Sequence, residues 1–251
     1  MRVSMMQFKP ALGHVDENFE RVERLMVRAM VEQPDVLVLP ELWSTGYYPT
    51  PVKEYADDEG RRSKAFLSES ARRLRVNIVG GTAIVSDGGR IFNRSYAVDR
   101  NGAIRAEYDK IHLFSPAGEE KVFASGDRLV SFELDGVKCS IAVCYDIRFP
   151  EMIRRLALDG VEVMFVPAAW PKKRAEHWRI LNRARAIENQ MFVVAVNSGG
   201  YSTAIEPWGE VLIEGDIDEA VLTVELNLET KKTLGSMMNV FADRNETIDH
   251  V

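Results

Sequence analysis

The stretch "SIAVCYDIRFPE", residues 140–151, decides how the rest of the chain is read. Its first half has the character of a buried strand. That strand ends on a cysteine, and Tyr-Asp-Ile-Arg-Phe-Pro-Glu follows at once as a turn into a helix over Glu151–Leu158. Cys144 is open to four readings: core residue, half of a disulfide, metal ligand or nucleophile.

Spacing and inventory weaken two of them. The cysteines are Cys139 and Cys144, five residues apart. In an extended segment that separation is ~16 Å, with the side chains on opposite faces. A disulfide needs Cα atoms within about 7 Å. The histidines are His14, His112, His177 and His250, and neither a close His pair nor a CxxC or HExxH motif occurs. The expectation is no metal site and no cofactor.

The 251 residues carry a formal net charge of −6 and are 46% hydrophobic. That is an ordinary globular composition with length for a sizeable core. The charge argues against an extended nucleic-acid footprint, and "RRLRV" (72–76) is read as a solvated helix face. No apolar run approaches the ~18–20 residues of a membrane span. "MRVSMMQF" alternates like a strand and lacks a signal-peptide core. The expectation is a cytoplasmic protein without nucleic-acid or membrane partners.

Apolar strand-like runs alternate with amphipathic stretches: 2–8, then a helix over Glu17–Val31, then "DVLVLP" (35–40). A helix over Arg61–Leu74 leads to strands at 77–85 and 90–99. Asn101-Gly102 and Asp135-Gly136 are hairpin turns. A strand at 161–167, a helix over Ala175–Asn189, a strand at 191–197 and a hairpin around "EPWGEVL" (206–212) follow. A strand and a short helix close the chain. No linker interrupts it, so 1–251 is expected to form a single domain. "DVLVLPELW" (35–43) and "EVMFVPAAW" (162–170) echo each other, which suggests two related halves. Strand ends opening onto loops are where α/β folds place their sites.

Three polar residues follow apolar strands: Glu41, Lys110 and Cys144. A cysteine attacks as the thiolate. A nearby carboxylate can take its proton, and an ammonium can stabilise an oxyanion. Glu, Lys and Cys together suffice for acyl transfer, although each alone also fits a structural role.

"LPELW" around Glu41, "YDKIHLF" around Lys110 and "VCYDIRFPE" around Cys144 resemble, in order, the three signatures of the nitrilase superfamily of carbon–nitrogen hydrolases. "HWRILNRARAIENQMFVVAVNS" (177–198) and "PWGEVL" (207–212) extend the resemblance over nearly the whole chain. It implies an α/β fold, a four-layer α-β-β-α sandwich, and a Glu41-Lys110-Cys144 triad. It also implies dimers that pack into larger homo-oligomers. The family commonly adds a second glutamate seven residues before the Gly of a Gly-Asp pair. That spacing from Gly126 prefers Glu119 over Glu120; otherwise both are exposed loop carboxylates.

True nitrilases and carbamoyl-hydrolysing relatives more often carry Trp after the cysteine. "CYDIRFPE" is similar to the ω-amidase group and to amidases of deaminated glutathione. The implied reaction cleaves a small linear amide, carrying a carboxylate, to an acid and ammonia through a thioester. 2-Oxoglutaramate and 2-oxosuccinamate are the implied substrates; another small amide, or a non-catalytic module retaining the fold, is the alternative. Arg148 is expected either to clamp the substrate carboxylate or to make a structural ion pair. Lys172, Lys173 and Arg174 are read first as a solvated basic loop. Trp170, Phe114 and Tyr145 are candidate pocket walls. The connection 198–206 is shorter than in ω-amidase-type relatives.

Overall fold

The computed structural model describes residues 1–245 and 247; His250 lies outside them. The first half runs β1 (Arg2–Gln7), α1 (Val15–Ala29), β2 (Val36–Val38), β3 (Asp57–Asp58), α2 (Arg61–Leu74), β4 (Asn77–Val79), β5 (Ala83–Asp87), β6 (Arg90–Val98) and β7 (Ile104–Asp109). The second runs β8 (Ser131–Leu134), β9 (Val137–Ile141), α3 (Pro150–Leu158), β10 (Val163–Ala168), α4 (Ala175–Asn189), β11 (Phe192–Asn197), β12 (Thr203–Ile205), β13 (Val211–Glu214), β14 (Ala220–Glu225) and α5 (Glu229–Met237).

The strands make two mixed sheets. One has the order β14-β1-β2-β4-β6-β5-β3, with β7 on the other edge of β6; the second has the order β13-β12-β11-β10-β9-β8. Each is built on three parallel strands, β1-β2-β4 in one and β9-β10-β11 in the other. Strands of that kind are covered on both faces, which explains why "VLVLP" and "VMFVP" are unbroken apolar runs. The two faces of β2 show the layering. Val36 and Val38 pack with Cys139, Ile141 and Phe165 of the second sheet. Leu37 and Leu39 pack with Phe19, Val22 and Met26 of α1 and Leu67 of α2. On the far side of the second sheet lie Met152, Ile153 and Leu156 of α3 and Trp178 and Ala186 of α4. The layers are thus α-β-β-α, as the resemblance implied.

The echo between 35–43 and 162–170 has a structural counterpart. β2 and β10 are each the central strand of the parallel trio in their own sheet. Trp43 and Trp170, which close the two segments, are both buried.

Two sequence expectations change. The strand expected over 77–85 is broken into β4 and β5, which pair with successive parts of β6. The break admits the turn after β2. Gly81 has φ +56, and a Cβ on it would lie 2.0 Å from the Pro40 carbonyl oxygen. Thr82 donates its N–H to that oxygen, and its side chain and carbonyl accept the N–H groups of Leu42 and Trp43. Gly81 therefore serves the loop that carries Glu41. The strand expected to end on Cys144 stops at Ile141, and Cys144 opens a 3-10 turn over Cys144–Arg148.

Replacing Gly81 with Ala should cost about 2–3 kcal/mol of folding free energy, from the left-handed backbone and the clash with Pro40. Urea denaturation checks this; a variant within about 0.5 kcal/mol of the parent contradicts it.

Candidate active site

Glu41, Lys110, Cys144 and Glu119 come from four separate segments and meet in the interior. Lys110 is 1% exposed, Glu41 1% and Glu119 0%. The Lys110 ammonium donates to Glu41 Oε1 at 2.9 Å and to Glu119 Oε1 at 3.0 Å, and stands 2.9 Å from Glu119 Oε2. Such burial costs several kcal/mol per ion unless the groups are engaged. Here every carboxylate oxygen is, and two of the three ammonium protons are hydrogen-bonded to Glu41 and Glu119. Asn93 Nδ2 donates to Glu41 Oε1 at 2.9 Å, and the Ala169 N–H to Glu41 Oε2 at 2.9 Å. Glu119 accepts the Tyr47 hydroxyl at 2.8 Å and the Phe114 N–H at 2.8 Å.

The local structure explains these positions. Lys110 follows β7, and its N–H is held by the Asn93 carbonyl of the paired β6. The Gly126 N–H donates to the Lys110 carbonyl, and a Cβ on Gly126 would lie 2.2 Å from the Asp109 carbonyl oxygen. The loop leaving β7 therefore folds back onto its own start, and this closure buries Glu119. Glu120, one residue on, is exposed. The exposed-loop alternative thus fails for Glu119 and holds for Glu120.

Cys144 has φ +48, a left-handed conformation that a side-chain-bearing residue adopts only when its surroundings impose it. Asp146 supplies the constraint. Its Oδ2 accepts the Val143 N–H at 2.8 Å and the Tyr108 hydroxyl at 2.7 Å. Its Oδ1 accepts the His112 N–H at 2.9 Å and a proton from His112 Nδ1 at 2.8 Å. One buried carboxylate thus pins the turn bearing the cysteine to the end of β7 and the residues after it.

Burial first, then the Glu41 charge, push the Cys144 thiol well above the ordinary range; Lys110 and the Ala169 N–H pull it down without prevailing. For Lys110, burial works against the ammonium, but the Glu41 and Glu119 carboxylates beside it outweigh that and raise its pKa. Burial, then Glu41 and Glu119, push the Tyr47 phenol up, so its hydroxyl stays a donor. The resting pattern is a neutral thiol beside a protonated lysine.

A cavity of about 430 Å³ opens above Cys144, walled by Tyr47, Phe114, Tyr145 and Trp170. Arg148, Lys173 and Arg174 also line it. Phe114 and Tyr145 meet edge to face, 5.0 Å between centroids. Among the described residues Arg148 makes no ion pair with an acid, the structural alternative expected for it. Its guanidinium carbon lies 4.8 Å from the Trp170 ring centroid, and Nη2 is 3.3 Å from His177 Nδ1. Nor is the basic stretch simply solvated: Lys172 and Lys173 are exposed, but Arg174 is half-buried at the pocket. The sequence reasoning missed Tyr47, Asn93 and Asp146. The signal available was a polar Asn93 inside the strand run "RIFNRSYAV" and the acid two residues past the cysteine.

Both cysteines are free, and among the described residues no cluster of three or more His, Cys, Asp or Glu is placed to hold a metal. An α-β-β-α sandwich that buries a thiol against a Glu-Lys-Glu network is an arrangement suited to hydrolysis through a cysteine. Residues 2–234 match the carbon-nitrogen hydrolase family, and the chain belongs to it. It is 40% identical over 250 residues to the 2-oxoglutaramate amidase of Bacillus subtilis, covering 96% of each chain. A CN-hydrolase superfamily protein from Xanthomonas campestris, solved with an arsenic adduct in its active site, superposes with a TM-score of 0.91 at 27% identity. It covers 98% of this chain and 97% of its own. A glutamate-to-glutamine mutant of the amidase from Nesterenkonia sp. AN1 superposes with a TM-score of 0.83 at 26% identity, covering 93% and 92%. It shows covalent addition of the acetamide moiety of fluoroacetamide at its active-site cysteine.

Replacing Lys110 with Met leaves Glu41 and Glu119 buried without their cation. The expected loss is about 3–5 kcal/mol at pH 8. Urea denaturation of both proteins at pH 8 checks this; a difference below about 1 kcal/mol refutes it.

Proposed function

We propose that this chain is an ω-amidase: it hydrolyses the terminal amide of a small 2-oxo acid amide, of the 2-oxoglutaramate or 2-oxosuccinamate type. The observation that carries the reading is the closed Glu41-Lys110-Glu119 network at Cys144, beneath a cavity rimmed by cations. The 2-oxoglutaramate amidase activity of the Bacillus subtilis relative supports the substrate class.

In the proposed mechanism Glu41 takes the Cys144 proton as the thiol attacks the amide carbon. Because burial disfavours a free thiolate, transfer and attack proceed together. Lys110 and the Tyr145 N–H hold the oxyanion, a contribution of several kcal/mol to barrier lowering. The C–N bond breaks as Glu41 returns the proton to nitrogen, and ammonia leaves a thioester on Cys144. Glu119 keeps Lys110 aligned and balances its charge. Water, deprotonated by Glu41, attacks the thioester; its collapse yields the carboxylate and restores the thiol. The residues balance both half-reactions without a cofactor. Arg148 receives the substrate carboxylate, and Trp170, Phe114 and Tyr145 exclude water.

The same reading has the chain working in the cytoplasm as a homodimer or larger homo-oligomer. Two buried, free cysteines suit a reducing compartment, and among the described residues no helix is long and apolar enough to cross a membrane. Ile180 and Ile187 on α4 are 62% and 45% exposed. Trp208 is exposed on the hairpin turn whose Gly209 abuts Ile187. Together they make an apolar face suited to a second copy. The whole of 1–251 then acts as one domain, with residues from both sheets completing each site.

Cys144→Ala should lower ammonia release by about four orders of magnitude or more while leaving the fold intact. Intact-mass analysis of the parent during turnover should show an acyl adduct on Cys144. Retained activity in the variant refutes the reaction; faster turnover of simple aliphatic amides than of 2-oxoglutaramate refutes the substrate.

A further inference from the structure

The mechanism above gives the substrate carboxylate to Arg148 alone. A second guanidinium is built into the same wall. Arg174 closes the 3-10 turn Lys172–Arg174 between β10 and α4. Its guanidinium carbon lies 5.0 Å from the Phe114 ring centroid and 5.9 Å from that of Trp170, the indole that Arg148 approaches to 4.8 Å. Two cations therefore share one aromatic platform.

That platform is held firmly. Trp170 Nε1 donates to the Arg174 carbonyl at 2.8 Å. The Trp170 N–H and carbonyl are clasped by the Asn197 amide at 2.7 and 3.1 Å. Arg148 is aimed by His177: a guanidinium only donates, so His177 Nδ1 is the acceptor of their 3.3 Å contact.

What the two guanidinia lack is equally informative. Arg94, Arg179 and Arg185 each hold a carboxylate. Among the described residues neither Arg148 nor Arg174 does, and no acidic side chain lines this cavity. Glu41 and Glu119 lie below it, fully buried and committed to Lys110. Like charges on one apolar ring repel, and an anion between them converts that repulsion into two charge-assisted hydrogen-bond sets. The geometry is that of an anion site.

The consequence concerns the carbon next to the carboxylate. 2-Oxoglutaramate and glutamine share chain length and terminal amide. They differ at C2, which carries a carbonyl in one and an ammonium in the other. A carbonyl oxygen accepts N–H bonds from a second guanidinium. An ammonium there meets Arg148, Lys173 and Arg174 with no acid to receive it. Resting on the ω-amidase reading, we propose that Arg174 acts with Arg148 to select 2-oxo acid amides against 2-amino acid amides, by binding the oxo-carboxylate end and repelling the ammonium.

Steady-state ammonia release should be compared for the parent, Arg174→Gln and Arg174→Lys on 2-oxoglutaramate, glutamine and butyramide. In R174Q, kcat/KM on 2-oxoglutaramate should fall about ten-fold or more, chiefly through KM. The losses on glutamine and butyramide should be several-fold smaller, so the oxo-over-amino preference narrows by about ten-fold. R174K should recover part of it, because a point charge remains without the bidentate fork. Equal losses on all three substrates, or an unmoved preference, overturn the role of Arg174. A parent enzyme that prefers butyramide to 2-oxoglutaramate overturns the ω-amidase reading and this inference together. A parent that prefers 2-oxoglutaramate, with its oxo-over-amino ratio unmoved in R174Q, overturns the inference alone.

Discussion

One lysine ammonium between two carboxylates, all three shut away from water, is the constraint on which the rest of the molecule turns. Lys110 with either glutamate alone would be an ordinary ion pair. With both, the cluster carries one more acid than base, and its desolvation must be met by donors from elsewhere. Those donors define the fold around it. Asn93 comes from β6, Phe114 and Tyr47 from loops that close over the site, and Ala169 from the end of β10 in the other sheet. The Glu41–Ala169 bond joins the two Pro-x-x-Trp segments, so the sheets are tied together at the place where each central strand ends. Fold closure and site assembly are one event.

The cysteine is held by a different device with the same economy. Asp146 accepts bonds from Val143, Tyr108 and His112, and these keep Cys144 in a left-handed turn rather than at the end of a strand. Tyr108 lies in β7, two residues before Lys110. The cysteine and the ammonium are therefore indexed to the same strand. In the proposed mechanism this matters because burial and Glu41 disfavour a free thiolate, so proton transfer has to coincide with attack on the amide carbon.

The sequence made the candidate groups legible because each follows an apolar run and stands in a compact motif. Glu41 after "VLVLP", Lys110 after "EYD" and Cys144 after "SIAV" are visible without a structure, and the spacing that the family resemblance supplied, counted from Gly126, pointed to Glu119. The residues that hold them were not visible, for a physical reason. Asn93 and Asp146 matter through partners 52 and 38 residues away, and Tyr47 meets its partner only after a loop closes. The break at Gly80-Gly81 was hidden too, because a Gly-Gly pair inside an apolar run signals a bulge or a gap equally well. What separates them is the Pro40 carbonyl entering from another strand. The basic run 172–174 resembled a solvated loop because charge alone does not reveal a neighbouring indole.

Floor and rim of the cavity also divide the labour electrostatically. Below lies the Glu41-Lys110-Glu119 cluster, with one acid in excess; above stand Arg148, Lys173 and Arg174. A small molecule with a neutral amide at one end and a carboxylate at the other has one favourable orientation in that field, amide down and anion up. Reversal would bring the carboxylate against two buried acids and leave the cations unsatisfied. Low polarity in the aromatic walls strengthens both preferences. On the proposed reading, the protein needs no tight steric mould for the middle of its substrate: orientation comes from the two ends, and the end that arrives at Cys144 decides the chemistry.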